Sequence, residues 1–269
     1  MEIIRNIHTH TSRCGHALGE DEDYVLKAID AEIEYLGFSD HIILPDRSQK
    51  GMRGDPFLFD DYISSIRNLE KKYASKIKIK LGFEAEWFDG KYFAYYQNLL
   101  KSGVIDYLIL GEHCTIKENE FLWYMDMAKK DKDKALEHYV NNVIDAMRSG
   151  LFTYVCHPDL FMIWYRDWNG KTIEATKTLA MEAKKSGIPL EVNMGWMNFH
   201  RDRDIASNEP DHYPYPLFWD EVSKIGCPSI IGIDAHLPDI FLKGNFEKIF
   251  DFVKEHDLNV IEPNIKQFR

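Results

Sequence analysis

The chain has 269 residues, 45% of them hydrophobic, and a formal net charge of -11 at pH 7. That is enough apolar material for one large α/β domain over 1–269, and the acidic balance disfavours a nucleic-acid surface, since phosphate-backbone binding needs clustered Lys and Arg. No stretch of about 18 apolar residues occurs, and the first ten residues lack the basic and apolar regions of a secretion signal, so a cytoplasmic protein without a membrane partner is expected.

Ile3, Ile4 and Ile7 read as a short buried strand that runs into His8, Thr9 and His10. Alternate residues on a strand share a face, so both imidazoles can reach one ion; two unrelated histidines at a polar strand end is the other reading of that triplet alone. His16 follows in the next loop. The pattern predicts a helix over 20–34, with Tyr24, Val25, Ala28, Ile29 and Ala31 as its apolar stripe, then a strand over 35–39 that ends in Asp40 and His41. Pro56 can open a second helix, in which Phe59, Tyr62, Ile63, Ile66 and Leu69 recur at helical spacing.

Alternation over 77–83 predicts a strand that delivers Glu84, a helix over 92–102 stops at Gly103, and a strand over 106–110 delivers His113. Residues 115–132 are irregular, with Phe121, Trp123, Tyr124 and Met125 clustered. They read either as a substrate-facing loop or lid, or as a helical insertion packing its aromatics on the exterior. A helix over 133–148 ends at Gly150, and a strand over 152–156 delivers His157. A helix over 172–186 is closed by Gly187, and the strand that begins at 188–190 delivers Glu191 and Asn193. After a polar loop over 195–214 come a helix over 216–225, a strand over 229–233 that delivers Asp234 and His236, and a closing helix near 245–255.

Seven strand patterns thus alternate with helices, and each strand ends in an ionisable or amide side chain. In a (β/α) barrel the C-terminal strand ends converge on one rim, where catalytic sites sit. Of the 11 histidines, His8, His10, His16, His41, His113, His157 and His236 fall at those ends or in the loop just after one. His138 and His256 fall in helices, and His200 and His212 in a loop. Cys14, Cys114, Cys156 and Cys227 have no CxxC spacing, which argues for reduced buried thiols. Cys114 and Cys156 adjoin histidines, but neighbours on an extended segment face opposite ways, which assigns both to packing. With Glu84 and Asp234, the seven imidazoles offer more N and O donors than one four- to six-coordinate ion can use. A multinuclear centre follows. Paired ions about 3.5 to 4 Å apart are a standard device for cleaving phosphate esters. Imidazole and carboxylate together suit zinc, iron or manganese without choosing among them.

As a set, HTHTSRCGHALGEDEDYVLKAI at 8–29, GFSDH at 37–41, GFEAEW at 82–87, LGEHC at 110–114, CHPDL at 156–160 and IDAH at 233–236 resemble the PHP (polymerase and histidinol phosphatase) superfamily over essentially the whole chain. The segment Cys14, Gly15, His16, Ala17, followed by GFSDH, looks like the monofunctional histidinol-phosphatases. The resemblance implies a distorted, TIM-like (β/α)7 barrel with three divalent metal ions at the rim. His8, His10, Glu84 and Asp234 would hold the first; Glu84 would bridge to a second, held also by His113 and His157; His16, His41 and His236 would hold the third. It also implies hydrolysis of L-histidinol phosphate by a metal-bridging hydroxide, with Glu84, Asp234 and His236 catalytic. Glu112 departs from the pattern, in which many relatives carry a small polar residue.

A phosphate dianion calls for basic side chains as well as metals, and Arg166 and Arg201 are the candidates, with Arg13, Arg47 and Arg53 also on rim-side loops. Two rivals keep the metal site: another small phosphate ester or an oligonucleotide end as substrate, or a non-catalytic metal-binding domain.

Overall fold

The computed structural model describes residues 3–195, 213–244 and 246–265. Four strands, β1 (Arg5–Asn6), β2 (Tyr35–Phe38), β3 (Lys78–Ala85) and β4 (Tyr107–Leu110), pair in parallel in chain order. Past β4 come a two-stranded hairpin, β5 (Cys114–Lys117) and β6 (Glu120–Trp123), and then the sixth and seventh staves, β7 (Leu190–Asn193) and β8 (Ser229–Gly232), parallel to each other. Between β4 and β7 stands the fifth stave. Its Val155 bridges Leu110 on one side and Leu190 on the other. A bridge between Thr9 and Ala235 closes the ring, with His10 N–H donating to Ala235 O (2.9 Å) and Ala235 N–H to His8 O (3.1 Å). The result is the expected distorted (β/α)7 barrel. It is distorted because β1 is two residues long and the fifth stave is held by isolated bridges rather than a ladder.

Nine helices are described: α1 (Asp21–Asp30), α2 (Phe59–Lys72), α3 (Phe93–Lys101), α4 (Tyr124–Ser149), α5 (Phe161–Tyr165), α6 (Gly170–Ser186), α7 (Pro216–Ile225), α8 (Ile240–Lys243) and α9 (Phe246–Glu255). The first is shorter than the 20–34 read from periodicity. Glu20 and Asp23 form a capping box at its start, and Glu32, at φ +57, turns the chain out so that Tyr35 can begin β2. Asn169 and Thr172 cap α6 in the same way, and Gly187 ends it at φ +65.

The 115–132 stretch is the clearest departure from the sequence reading. Glu118 and Asn119, at φ +50 and +70, make a two-residue turn of the kind that suits hairpin twist, so Cys114 faces Trp123 across an antiparallel pair. Helix α4 begins at once, at Tyr124, and bends at Asp131 (φ -158°, ψ 95°). Aromatic clustering had masked a short strand pair.

Alternation sends one set of strand side chains outward under the helices and the other inward. Ile7, Tyr107, Ile109, Tyr154, Cys156 and Ile230 fill the barrel interior, below the rim. Tyr107 is its centrepiece, with its hydroxyl 2.9 Å from the carbonyls of both Ile7 and Phe38. Gly37 and Gly82 make room for it, since a Cβ on either would stand 2.4 or 2.6 Å from the Tyr107 side chain. Among the described residues no helix is long and apolar enough to cross a membrane.

Candidate metal centre

Above that packed interior, the strand ends bring all nine predicted donors together. Glu84, near the end of β3, lies at the middle: its Oε1 is 2.8 Å from His157 Nε2 and 3.6 Å from His113 Nε2, and its Oε2 is 3.0 Å from His41 Nδ1 and 3.4 Å from His10 Nε2. Space for this carboxylate exists because residue 111 is glycine; a Cβ there would stand 1.9 Å from Glu84 Oε1. Asp234 Oδ1 is 3.2 Å from His10 Nε2 and 3.4 Å from His8 Nε2. On the outer side His16 Nε2 and His236 Nε2 face each other at 2.9 Å, and the His236 ring stacks on His10 with centroids 4.1 Å apart. His157 and Asp234 hold φ of +31° and +52°, a conformation that non-glycine residues rarely adopt and that functional sites often store.

Such a cluster is unstable to charge imbalance. Burial alone would raise the Glu84 carboxyl, but the surrounding His41 and His113 outweigh it and hold the group well below the usual carboxylate range. Asp234 behaves the same way, with burial overcome by His8, His236 and His10. Burial opposes a charge on His10, yet hydrogen bonding to Asp234 and Asp40 and the field of Glu84 lift it to about 9. His236 goes the other way, pushed down to about 3 by burial and by His10.

The residues fit divalent cations on two counts. Buried His8 Nε2 and His157 Nδ1 have no hydrogen-bond partner, a costly arrangement unless a cation meets them. Ligand atoms also gather in groups, each within 4.8 Å: His8, His10 and Asp234; His10, His41 and Glu84; His16, His41 and His236; and His8, Glu84, Cys156 and His157. Cys156 packs in the barrel interior as expected, and its Sγ also comes within reach of the last group, because the turned backbone at His157 brings both residues inward. All four cysteines are free and buried.

A cavity of about 580 Å³ opens over the cluster. Its floor carries every imidazole of the cluster except buried His8, with Glu84 and Asp234, and its wall is apolar: Met52, Trp123, Met125, Leu160, Ile163 and Trp164. Trp123 and Met125 come from the hairpin and the start of α4, so that insertion faces the cavity, while Phe121 and Tyr124 pack inward. Arg47 binds the hairpin turn through Asn119 O (3.0 Å), and the buried Arg53 guanidinium lies 5.2 Å from the Phe121 ring centroid.

The arginines are disposed differently. Arg13 is paired with Asp21 and Asp61, Arg47 with Asp46, and Arg53 with Glu86. Arg166 closes α5 at φ +63 with its exposed side chain donating to Ile163 O (3.1 Å), and it is not among the residues lining the cavity. Arg201, His200 and His212 lie outside the described residues.

Sequence reasoning passed over Glu86, which stands one residue beyond β3, two residues after Glu84. Glu112, the departure from the family pattern, points away from the cavity. Burial pushes it well above the usual range, and it accepts hydrogen bonds from Trp87 N–H and the Tyr124 hydroxyl.

The PHP domain model matches residues 6–195. A curated protein of Deinococcus radiodurans, named a probable histidinol-phosphatase, is 28% identical over 243 residues, 88% of this chain and 88% of that one. The fold is similar to that of the histidinol phosphate phosphatase of Lactococcus lactis subsp. lactis, solved with zinc, L-histidinol and phosphate, at a TM-score of 0.70 and 17% identity over 97% of this chain and 96% of that chain. A match over that span, on a barrel whose rim gathers these histidines and carboxylates, means that the chain belongs to the PHP domain family.

Proposed function

We propose that the chain is a metal-dependent histidinol-phosphatase, converting L-histidinol phosphate and water to L-histidinol and inorganic phosphate, as a single barrel domain in the cytoplasm. The observation that carries this reading is the joining of a dense imidazole and carboxylate floor to an apolar, aromatic wall in one cavity. Kinship with a probable histidinol-phosphatase over 88% of the chain supports it.

Three divalent ions, zinc, iron or manganese, fit the donors: His8, His10, Glu84 and Asp234 for one; Glu84, His113 and His157 for the second; His16, His41 and His236 for the third. When bound, such ions polarise phosphoryl oxygens and make water nucleophilic at neutral pH. The side chains then divide the remaining work. Glu84, at the middle of the cluster, would supply a carboxylate oxygen to each of two ions. Asp234, which lines the cavity with His236 beside it, is placed to take the proton of the attacking water and return it to the departing alkoxide. Trp123 and Trp164 offer flat faces to the imidazole end of the substrate, and the apolar wall limits the water around the reacting phosphate. Arg166 and Arg201 are the arginines proposed for the phosphate dianion.

Phosphate release from L-histidinol phosphate, p-nitrophenyl phosphate and a short single-stranded DNA, on protein with its metals quantified, tests this. L-Histidinol phosphate is expected to lead by orders of magnitude in kcat/KM. A fully metallated protein that prefers either of the others would sink the substrate assignment.

A further inference from the structure

The donor groups differ in charge and in what stands behind each ring. His8 is wholly buried, and its Nδ1 lies 2.8 Å from Glu191 Oε1. The other oxygen of Glu191 accepts the His157 backbone N–H (3.1 Å) and Asn193 Nδ2 (2.9 Å), so one carboxylate fixes both a ring and a neighbouring backbone. His113 Nδ1 is 3.2 Å from Glu86, which is in turn held by buried Arg53 at 2.9 Å. His10 Nδ1 stands 3.6 Å from Asp40. These rings surround Glu84 and Asp234, so an ion among them meets anionic donors.

The outer group is different. His16, His41 and His236 are three imidazoles, and His16 is exposed. His16 Nδ1 and His236 Nδ1 are backed by backbone carbonyls, Cys14 O at 3.4 Å and Asp234 O at 3.1 Å. His41 turns Nδ1 to Glu84, and the Asp234 Oδ1 that lies 3.4 Å from His236 is nearer to His10, so the carboxylates within reach belong to the inner groups. A carboxylate behind a ligating imidazole makes it a better donor and fixes its orientation, and losing such a partner typically costs about 10–100-fold in metal affinity.

We infer that the centre is graded: the ions beside Glu84 and Asp234 are held tightly, whereas the ion of the His16, His41 and His236 group exchanges with free ion in solution. The inference rests on the ligand assignment proposed above. Glu191 and Glu86 are then positioning residues for the tight ions, and His16 is the residue through which the exchangeable one comes and goes.

Zinc-loaded protein, freed of excess zinc, is challenged with 4-(2-pyridylazo)resorcinol while released and retained zinc are counted. One zinc per chain is expected in a fast phase and two in a phase at least about tenfold slower. His16→Ala removes the fast phase and leaves two ions bound. Glu191→Gln and Glu86→Gln speed the slow phase and leave the fast one unchanged; if the first fails to fold, the second reads the same step. Release of three ions in one phase, or a fast phase that survives His16→Ala, overturns the grading while the turnover of L-histidinol phosphate still stands as the test of function. A chain that binds no stoichiometric zinc overturns the metal assignment itself.

Discussion

Gly232 lies against Glu191 so closely that a Cβ on the glycine would stand 1.7 Å from Glu191 Oε1. In the parallel β7–β8 pair Gly232 is registered with Asn193, two residues beyond Glu191, and the missing side chain on one strand is the space for the carboxylate on the other. Glu191 in turn holds His8 Nδ1 at 2.8 Å. A single methyl group on β8 therefore bears, through Glu191 on β7, on the orientation of the His8 ring at the end of β1.

Gly232→Ala is expected to push Glu191 off His8. Overpacking of this kind costs about 1–3 kcal/mol, so thermal unfolding falls by several degrees, and bound zinc falls with it. Gly170→Ala, at a position with open space around it, is the control and leaves both unchanged. Unaltered zinc content in Gly232→Ala would mean that Glu191 does not position His8.

Glu84→Ala is expected to reduce kcat by more than about 100-fold, since it removes a donor rather than a partner behind one. Far-UV circular dichroism should stay native, because the freed volume lies at the rim and not in the packed interior. An active variant would falsify the bridging assignment.

Much of this was legible in the chain because barrel strands announce themselves twice, by a β-branched or apolar run and by the polar residue that ends it. His8, His41, Glu84, His113, His157 and Asp234 all came from that rule, and the structure brings them together around Glu84 and Asp234. What escaped had local signals pointing elsewhere. The Glu118–Asn119 turn lacks glycine, the usual marker of a two-residue hairpin, so its strands hid among aromatics. The reach of Cys156 Sγ toward the His8, Glu84 and His157 donors was hidden because the backbone turns at His157, while the residue itself packs in the interior. Glu86 was overlooked because a buried carboxylate is recognised by its partner, and Arg53 is 33 residues away in the chain.

Arg53 and Glu86 form a pair in which both side chains are almost wholly removed from water, 2.9 Å apart. Arg53→Met leaves the Glu86 charge unpaired in the interior, and loss of one partner from such a pair costs about 3–5 kcal/mol. Urea denaturation should show that loss as a lower midpoint with an unchanged slope. Arg53→Met with Glu86→Gln should recover a large part of it, because the stranded charge has gone. A double variant no more stable than the single one would show that Arg53 acts mainly by bracing Phe88 and Phe121, over whose rings it also lies.

Arg166→Ala is expected to raise KM for L-histidinol phosphate with kcat little changed, the pattern of an arginine that grips phosphate equally in ground and transition states. Arg166 stands one residue beyond α5, whose Ile163 and Trp164 line the cavity. An unchanged KM removes Arg166 and leaves Arg201 as the candidate.

Trp123 ends the hairpin as a 38% exposed residue, an unusual placement for so large an apolar side chain unless something covers it in use. In the proposed reaction that cover is the imidazole ring of the substrate. Stacking of flat rings contributes about 0.5–1.5 kcal/mol, so Trp123→Ala is expected to raise KM for L-histidinol phosphate roughly two- to tenfold. Glycerol phosphate, which has no ring to stack, should show no such change on the same preparation, and zinc content should match the parent because Trp123 is outside the donor groups. The comparison separates recognition from damage: a KM that rises equally for both esters would place Trp123 in the general shape of the cavity, and the flat-ring subsite would be abandoned.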